Sequence, residues 1–461
     1  MSKIDQIVSL VIERIQNSEY LTGSRVHSIR AAASLYSVSK NTVAEAYERL
    51  VAMGYLESRR GSGFYVTKRY QAPSPQRSHQ LAQAIDTVSL LREQLVQDYA
   101  VRIGDGRPPE TWMEGFNLRK AARLVKDYDD VSINNGYGNP WGFSPLRDRI
   151  AHLLHDRGVL SGPSDILLTH GANHAMDLVA RQLLQPGDVA LVDSPGYYPL
   201  FGKLKFSHIK LVGVRRMIDG PDTDDLEDKI KTYKPKVFFT QSLAHNPTGG
   251  GLTLPVAHRI LKLADAYGMY VVEDDAFADV LAPNSPRLAM LDQLERVIYI
   301  GTFSKTLSAS LRVGYVTANR AFVRALCDLK MVTLVTTSDF VERVVCGLID
   351  SGQYMRHLRV LRQNISESTA KAVNILKRLG LEFPYGASGG GYYLWAQMRN
   401  IDEAVLAKQA SDAGIFLAPG SLFFPDREAT PSYPALRINV AYASDTRFVD
   451  FMERFIAAPM K

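Results

Sequence analysis

Cysteine is almost absent from this chain. Only Cys327 and Cys346 occur in 461 residues, and neither stands in a metal-type spacing. A disulfide framework is therefore excluded, no metal site is expected, and both thiols should be buried. Long apolar runs are also missing, since none reaches the ~20 residues that a membrane-spanning helix needs. The first residues, Met1-Ser2-Lys3-Ile4-Asp5, hold no apolar signal core, so the protein is expected to be cytoplasmic. No internal repeat or long low-complexity tract occurs. What remains is an ordinary globular composition, 46% hydrophobic and 22% charged, at a length that calls for two or three domains.

The net charge of +6 is uneven. Residues 1–69 carry ten Lys/Arg against six Asp/Glu, which points to an anionic partner for that segment. Ile4, Ile7, Val8, Val11, Ile12 and Ile15 recur at helical spacing and predict an amphipathic helix over residues 3–17. Ser28 is placed to cap a second helix, Ile29 to Tyr36. After the tight turn Ser37-Val38-Ser39, a third helix runs from Lys40 to Met53 and stops at Gly54. Tyr55-Leu56-Glu57 and Phe64-Tyr65-Val66 then flank a basic, glycine-containing tip, Ser58 to Gly63, as a hairpin does. The order is that of a winged helix-turn-helix. Ser39, Lys40, Asn41 and Thr42 open the third helix, where side chains reach base edges and phosphates in a major groove. Arg30, Arg59 and Arg60 are placed for backbone or minor-groove contact.

The segment resembles the GntR-type winged helix domain. The residues that carry the likeness are Gly23 to Arg30, Val38-Ser39-Lys40-Asn41-Thr42-Val43, Ala46-Tyr47-Glu48-Arg49-Leu50, Gly54-Tyr55-Leu56 and Gly61-Ser62-Gly63-Phe64-Tyr65-Val66. It implies operator contacts by Arg30, Ser39, Lys40, Asn41 and Gly61. Two positions depart from the family: His27 stands where proline is usual, and Ala44 where arginine is frequent.

The stretch Gln71 to Gln80 is polar and proline-containing, and reads as a linker. Leu81 to about Val101 has apolar spacing that suits a helix. The expected division is a DNA-binding domain at 1–69, a linker at 70–101, and a large domain at 102–461. In the last, short apolar runs predict buried strands: Asp165–Thr169, Val189–Val192, Val237–Thr240, Met269–Val272, Val297–Ile300 and Val313–Val316. Helical patterns such as His174–Leu184 and Pro255–Tyr267 lie between them. This is an α/β domain with a mainly parallel sheet, in which ligands gather at the carboxyl ends of strands.

Polar residues cluster just past those ends. Lys305 follows a strand among Thr302 and Ser304, with Arg312 seven residues on. A desolvated lysine there can form a Schiff base with a carbonyl, while the hydroxyls and the arginine hold a phosphate. Gly171-Ala172-Asn173 opens a helix, whose free N–H groups also favour phosphate. Pro195-Gly196-Tyr197 offers an aromatic face, Asn246-Pro247-Thr248-Gly249 an amide, and Glu273-Asp274-Asp275 a carboxylate. An aldehyde with a phosphate and a ring nitrogen is pyridoxal 5'-phosphate.

Residues from about 102 to 457 resemble a fold-type I pyridoxal-phosphate aminotransferase, with a large domain and a small C-terminal α+β subdomain. The signatures are Tyr137-Gly138-Asn139-Pro140-Trp141-Gly142, the stretches just named, Ser304-Lys305 with Arg312, Gly389 to Trp395, and Leu436-Arg437-Ile438-Asn439. The resemblance implies that Lys305 is the internal aldimine lysine and that Asp274 partners the ring nitrogen. It places Asn246 on the phenolic oxygen and Tyr197 on the ring face. Ala172, Asn173, Thr302, Ser304 and Arg312 would hold the phosphate, and Arg437 a substrate or effector carboxylate. Tyr137 would reach a neighbouring subunit's phosphate. A tyrosine usual just past the aspartate is replaced here by Ala276 and Phe277.

A winged helix joined to an aminotransferase-like domain is similar to the MocR-type regulators of the GntR family. That implies a bacterial transcription factor, a head-to-tail homodimer that binds operator DNA and would be nucleoid-associated when bound. It would respond to pyridoxal phosphate or to an amine or amino-acid effector forming an external aldimine at Lys305. The pocket residues also suit an active aminotransferase with an accessory helix-turn-helix domain, or a pyridoxal-binding scaffold. The basic winged helix favours the regulator, because an enzyme has no use for it.

Overall fold

The computed structural model describes residues 3–16, 19–59, 61–67, 99–113, 136–277, 279–281, 285–387, 390–399, 401–426 and 434–457, with the single positions 92, 95, 121, 123 and 125. The chain divides into two compact units between residues 77 and 78. The helix expected over Leu81–Val101, Arg60 of the hairpin tip and Gly389 of the glycine run lie wholly or almost wholly outside the described residues.

In the first unit, α1 (Lys3–Gln16), α2 (Ile29–Leu35) and α3 (Lys40–Ala52) precede β1 (Leu56–Arg59) and β2 (Gly63–Val66). The serines cap as their positions predict. Ser28 accepts the Ala31 N–H at 3.2 Å, and Ser39 accepts the Thr42 N–H at 3.1 Å. Gly54 follows α3 at φ 72°, a left-handed conformation that glycine adopts without strain. The apolar stripes of the helices meet in one core, in which Val11, Ala32, Val43, Ala46 and Leu50 are fully buried. The hairpin pairs Glu57 with Tyr65 and Arg59 with Gly63, so the ladder runs two residues further up the wing than the apolar pattern indicates.

The second unit is built on an eight-stranded sheet. Its strands are β3 (Ile166–Thr169), β4 (Val189–Ser194), β5 (Lys210–Met217), β6 (Gly220–Pro221), β7 (Val237–Thr240), β8 (Tyr270–Asp275), β9 (Val297–Thr302) and β10 (Gly314–Thr317), in the spatial order β3-β10-β9-β8-β7-β4-β5-β6. The β5-β4-β7-β8-β9 run is parallel, while β10 lies antiparallel between β9 and β3. Both faces are covered, so the strands are apolar along their length. Alternate side chains divide between two cores: Leu191, Phe238, Val271 and Tyr299 on one face, and Val192, Phe239, Val272 and Ile298 on the other.

Because these strands run parallel, Asp193, Thr240, Asp274 and Thr302 arrive at the same edge. A separate antiparallel pair, β11 (Tyr393–Gln397) with β12 (Ala435–Asn439), packs on the long helix Gln353–Arg378 and carries Arg437. Among the described residues no helix is long and apolar enough to cross a membrane.

Candidate functional site

Asp274 is the centre of the site. Three carboxylates stand in a row on β8, and strand alternation turns the middle one to the opposite face from its neighbours. Glu273 accepts the backbone N–H groups of Leu288 at 2.9 Å and Ala289 at 2.7 Å and also bonds Ser242. Asp275 accepts from Arg287 Nε at 2.6 Å and from the Tyr299 hydroxyl at 2.8 Å. Both flanking acids are thus spent on structure. Among the described residues Asp274 has one hydrogen-bond partner, Gln241 Nε2, which donates to Oδ2 at 2.6 Å. Its other oxygen, Oδ1, is buried without a hydrogen bond. Burial pushes the Asp274 carboxyl up to about 7, with Asp275 adding to it, while Gln241 and Lys305 pull it back.

Asp274, Gln241, Tyr197, Asp193 and His245 line one cavity. Behind it lies a buried ion pair that the sequence reading passed over. Arg216 Nη1 donates to Asp193 Oδ2 at 3.0 Å, the Thr240 hydroxyl donates to the same oxygen at 2.9 Å, and His245 Nε2 lies 3.4 Å away. Burial opposes the charge on Asp193, but Arg216 and His245 hold it below the usual carboxylate range. Gln241 and Asp193 both sit at strand ends, so the rule that selected Asp274 would have found them.

Lys305 lies beyond the end of β9. Its amine donates to the Gly106 carbonyl, which also accepts the Tyr393 hydroxyl at 2.8 Å. Burial brings the Lys305 ammonium down to about 8, Arg437 and Arg107 lower it further, and Asp105 and Asp274 oppose them. An amine at that value is partly uncharged near neutrality and can act as a nucleophile. The Gly106 contact was not expected; Ile103-Gly104-Asp105-Gly106 shows no periodicity, and only tertiary packing brings it to the lysine.

Arg437 is buried, and its guanidinium lies 4.9 Å from the Tyr393 ring centroid and 5.0 Å from that of Phe423. Nη1 donates to Asn246 Oδ1 at 3.0 Å and Nη2 to the Gly104 carbonyl at 2.6 Å. Asn246 therefore faces Arg437 with its oxygen and keeps its amide N–H groups for another acceptor. Phe277 is buried edge-on to Tyr392 and Tyr393, at centroid distances of 5.4 Å and 5.6 Å, so that position brings no hydroxyl to the site.

Next to Lys305 is a cradle for an anion. The helix Ala172–Leu183 opens after Gly171, whose φ is 73°. A Cβ on Gly171 would lie 2.6 Å from Arg312 Nη2, so the guanidinium packs where only glycine leaves room. Arg312 donates to the His170 carbonyl at 3.1 Å and to Ser304 Oγ at 3.3 Å. Thr302 Oγ1 lies 3.0 Å from Ser304 Oγ, and Asn173 Oδ1 is buried without a partner. Ala172, Asn173, Thr302, Ser304 and Arg312 thus surround one helix N-terminus. Tyr137 is 85% exposed.

The donor set fits pyridoxal phosphate. The unpartnered carboxylate oxygen suits a protonated ring nitrogen, the Asn246 amide a phenolic oxygen, the cradle a phosphate, and the Lys305 amine an aldehyde.

In the first unit, Arg30, Ser39, Lys40 and Asn41 are exposed and Thr42 is half-buried; the serine and threonine hydroxyls lie 2.8 Å apart at the α3 cap. Arg30 and Lys40 form no ion pair with a described residue. Arg59 is instead paired with Glu57 and lies 4.2 Å from the Tyr65 ring centroid. Gly61 turns the wing tip at φ 74°.

The pH dependence of stability exposes the strain at Asp274. Its folded carboxyl titrates near 7, above the ordinary 3.8. A raised carboxyl contributes stability that is present below the lower value and lost as pH rises through the upper one. Asp274→Asn, measured by thermal unfolding without cofactor, should therefore stabilise the protein by roughly 2–3 kcal/mol more at pH 8 than at pH 5. An equal effect at both pH values would contradict the assignment.

The profile of the family "Aminotransferase class I and II" matches residues 63–455, and that of "Bacterial regulatory proteins, gntR family" matches residues 3–66. The chain is similar to the HTH-type transcriptional regulator YdfD of Bacillus subtilis, at 26% identity over 96% of this chain and 93% of that protein. It is similar to the HTH-type transcriptional regulator NorG of Staphylococcus aureus, at 27% identity over 87% of this chain and 92% of that one. Among solved structures it resembles kynurenine aminotransferase of Pyrococcus horikoshii, in complex with PMP (TM-score 0.70, 24% identity, 83% of this chain and 96% of that one). It also resembles the α-aminoadipate aminotransferase LysN of Thermus thermophilus, complexed with phosphopyridoxyl-leucine (TM-score 0.71, 24% identity, 81% and 97%). The chain belongs to the aminotransferase class I and II family and carries ahead of that domain a GntR-family DNA-binding domain, the combination found in MocR-type regulators.

Proposed function

We propose that this protein is a transcriptional regulator that binds operator DNA with its N-terminal unit and uses its pyridoxal phosphate pocket to sense the cofactor or an amine-bearing effector. The observation that carries the reading is the α3 N-terminus. Lys40 and Asn41 are exposed there, and neither Lys40 nor Arg30 is neutralised by a described acid, as a phosphate-binding face requires. Arg49 and Arg59, by contrast, are paired with Asp5 and Glu57. The match to NorG, named an HTH-type transcriptional regulator, covers 92% of that protein, which supports the same role. Nothing in that role requires the protein to leave the cytoplasm.

When bound, pyridoxal phosphate supplies an aldehyde for an amine and a ring that withdraws electrons. Lys305 offers the amine, Asp274 keeps the ring nitrogen protonated, and the Ser304–Arg312 cradle fixes the phosphate. Arg437 offers a guanidinium to an effector carboxylate, which must displace the Asn246 or Gly104 bonds it makes now. An effector amine competing with Lys305 would favour one state of the unit over another, which is how binding there can alter DNA affinity. The intact pocket also supports a second reading, transamination, since Lys305 can serve as a base.

We further propose a homodimer. Tyr137 is 85% exposed, Val332 86% and Phe340 53%, and Gly138 lies against Asp339, which brings Tyr137 and Phe340 into one neighbourhood. A second copy is its occupant, and Tyr137 would then serve the partner's cradle.

Gel shifts on the protein's own upstream DNA should show a specific complex that pyridoxal phosphate alters. Lys40→Ala should weaken it and lower the slope of log affinity against log salt by about one. An unaltered slope would remove Lys40 from the interface. Lys305→Ala should abolish the visible absorbance of lysine-bound cofactor; an unchanged spectrum would exclude that lysine. Rapid release of a keto acid from added amino acids, without specific DNA binding, would favour the enzyme instead. In sedimentation runs Val332→Asp should convert a dimer into a monomer; an unchanged dimer would place the interface elsewhere.

A further inference from the structure

Gln241 follows β7 and is buried between Asp274 and Asn246, the two residues that would meet the ring nitrogen and the phenolic oxygen of pyridoxal phosphate. Every polar atom of this residue is engaged. Its backbone N–H lies 3.3 Å from Asp193 Oδ2, and its carbonyl accepts Arg216 Nη2 at 3.0 Å, so the buried ion pair grips its main chain from both sides. Its side-chain Oε1 accepts the Asn246 N–H at 2.7 Å, and Nε2 donates to Asp274 Oδ2 at 2.6 Å.

This geometry fixes the orientation of the amide. A backbone N–H can only donate, so Oε1 must face Asn246 and Nε2 must face Asp274. The carboxyl oxygen opposite Nε2 must then accept, which the ionised form does best. The other oxygen, Oδ1, is left without a partner and remains available to the ring nitrogen. Among the described residues Gln241 is the one side chain hydrogen-bonded to Asp274. The same amide sets the main chain at Asn246, whose side chain would meet the phenolic oxygen.

We propose that Gln241 is a positioning residue that favours the ionised form of Asp274 and holds Asp274 and Asn246 in register for a pyridine ring. This rests on the pyridoxal phosphate reading of the pocket. Gln241 touches neither the cofactor nor an effector. It acts through Asp274 by supplying a neutral donor that does not titrate. The titratable and charged groups around Asp274 are Asp275 beside it on β8, Lys305, Tyr197, Tyr393 and, lining or backing the same cavity, His245 and the Asp193–Arg216 pair. All are common to the native protein and to Gln241 variants, so a difference between these reports Gln241 alone.

The test is the affinity of the full-length protein for pyridoxal phosphate, measured by fluorescence titration from pH 5.5 to 8.5. Protonating Asp274 weakens its hold on the ring nitrogen, so affinity has an acid limb. Gln241→Leu removes both side-chain bonds; it should weaken binding about tenfold at neutral pH and move the acid limb upward by about one unit. Gln241→Glu keeps the shape and an acceptor for Asn246 but sets a second carboxyl against Asp274. It should move the limb further in the same direction, and it carries the test if the apolar variant does not fold. A uniform loss of affinity with an unmoved limb would make Gln241 a packing residue and overturn the proposal. Unchanged affinity would do the same. Failure of the native protein to bind pyridoxal phosphate at any pH would overturn the cofactor reading and this inference together.

Discussion

Burying the carboxylate of Asp274 is unfavourable unless something answers its charge. Much of the larger unit can be understood as that answer. The parallel strands bring Gln241 to one of its oxygens and leave the other open. Lys305 lies close enough to pull the carboxyl back toward ionisation, while the same burial strips the lysine of part of its own charge. Each group is poised by an environment that would be wasteful in a purely structural core. The unpartnered oxygen is a deficit that a protonated ring nitrogen would remove, which would link cofactor binding to pocket stability.

Strand alternation is what makes one carboxylate out of three functional. Glu273 and Asp275 turn to the side where Ser242, two backbone N–H groups, Arg287 and Tyr299 are waiting. Asp274 turns to the cavity. A one-residue slip in the β7–β8–β9 register would exchange these roles, aiming two carboxylates at the cavity and one at the structural partners. The apolar division of β7, β8 and β9 between two cores opposes such a slip.

The N-terminal unit works by a different economy. Its core is small, and its helices are set by two serine caps and a glycine stop rather than by buried charge. Several surface cations are neutralised locally, Arg49 by Asp5 and Arg59 by Glu57. Arg30 and Lys40 pair with no described acid. Arg59 is therefore less suited to phosphate than its place on the wing suggests, since a contact must compete with Glu57 and with stacking on Tyr65.

By itself the sequence determined the elements whose physics is local. Serines at helix starts, glycines at turns and short apolar runs identified α2, α3 and most sheet strands to within a residue or two. The order of those strands placed Asp274, Asn246, Lys305 and Ala172-Asn173 at one edge of the sheet. It did not reveal β5, whose exposed Lys210 and Arg215 break the apolar pattern at the sheet margin, nor the antiparallel placement of β10, which depends on non-local pairing. Only the tertiary structure decided which neighbours each site residue keeps. It spent Glu273 and Asp275 on the core, set Gln241 between Asp274 and Asn246, parked Lys305 on Gly106, and tied Arg437 to Asn246 across 191 residues. All but the Gln241–Asn246 bond join segments far apart in the chain, and no periodicity or local propensity encodes them.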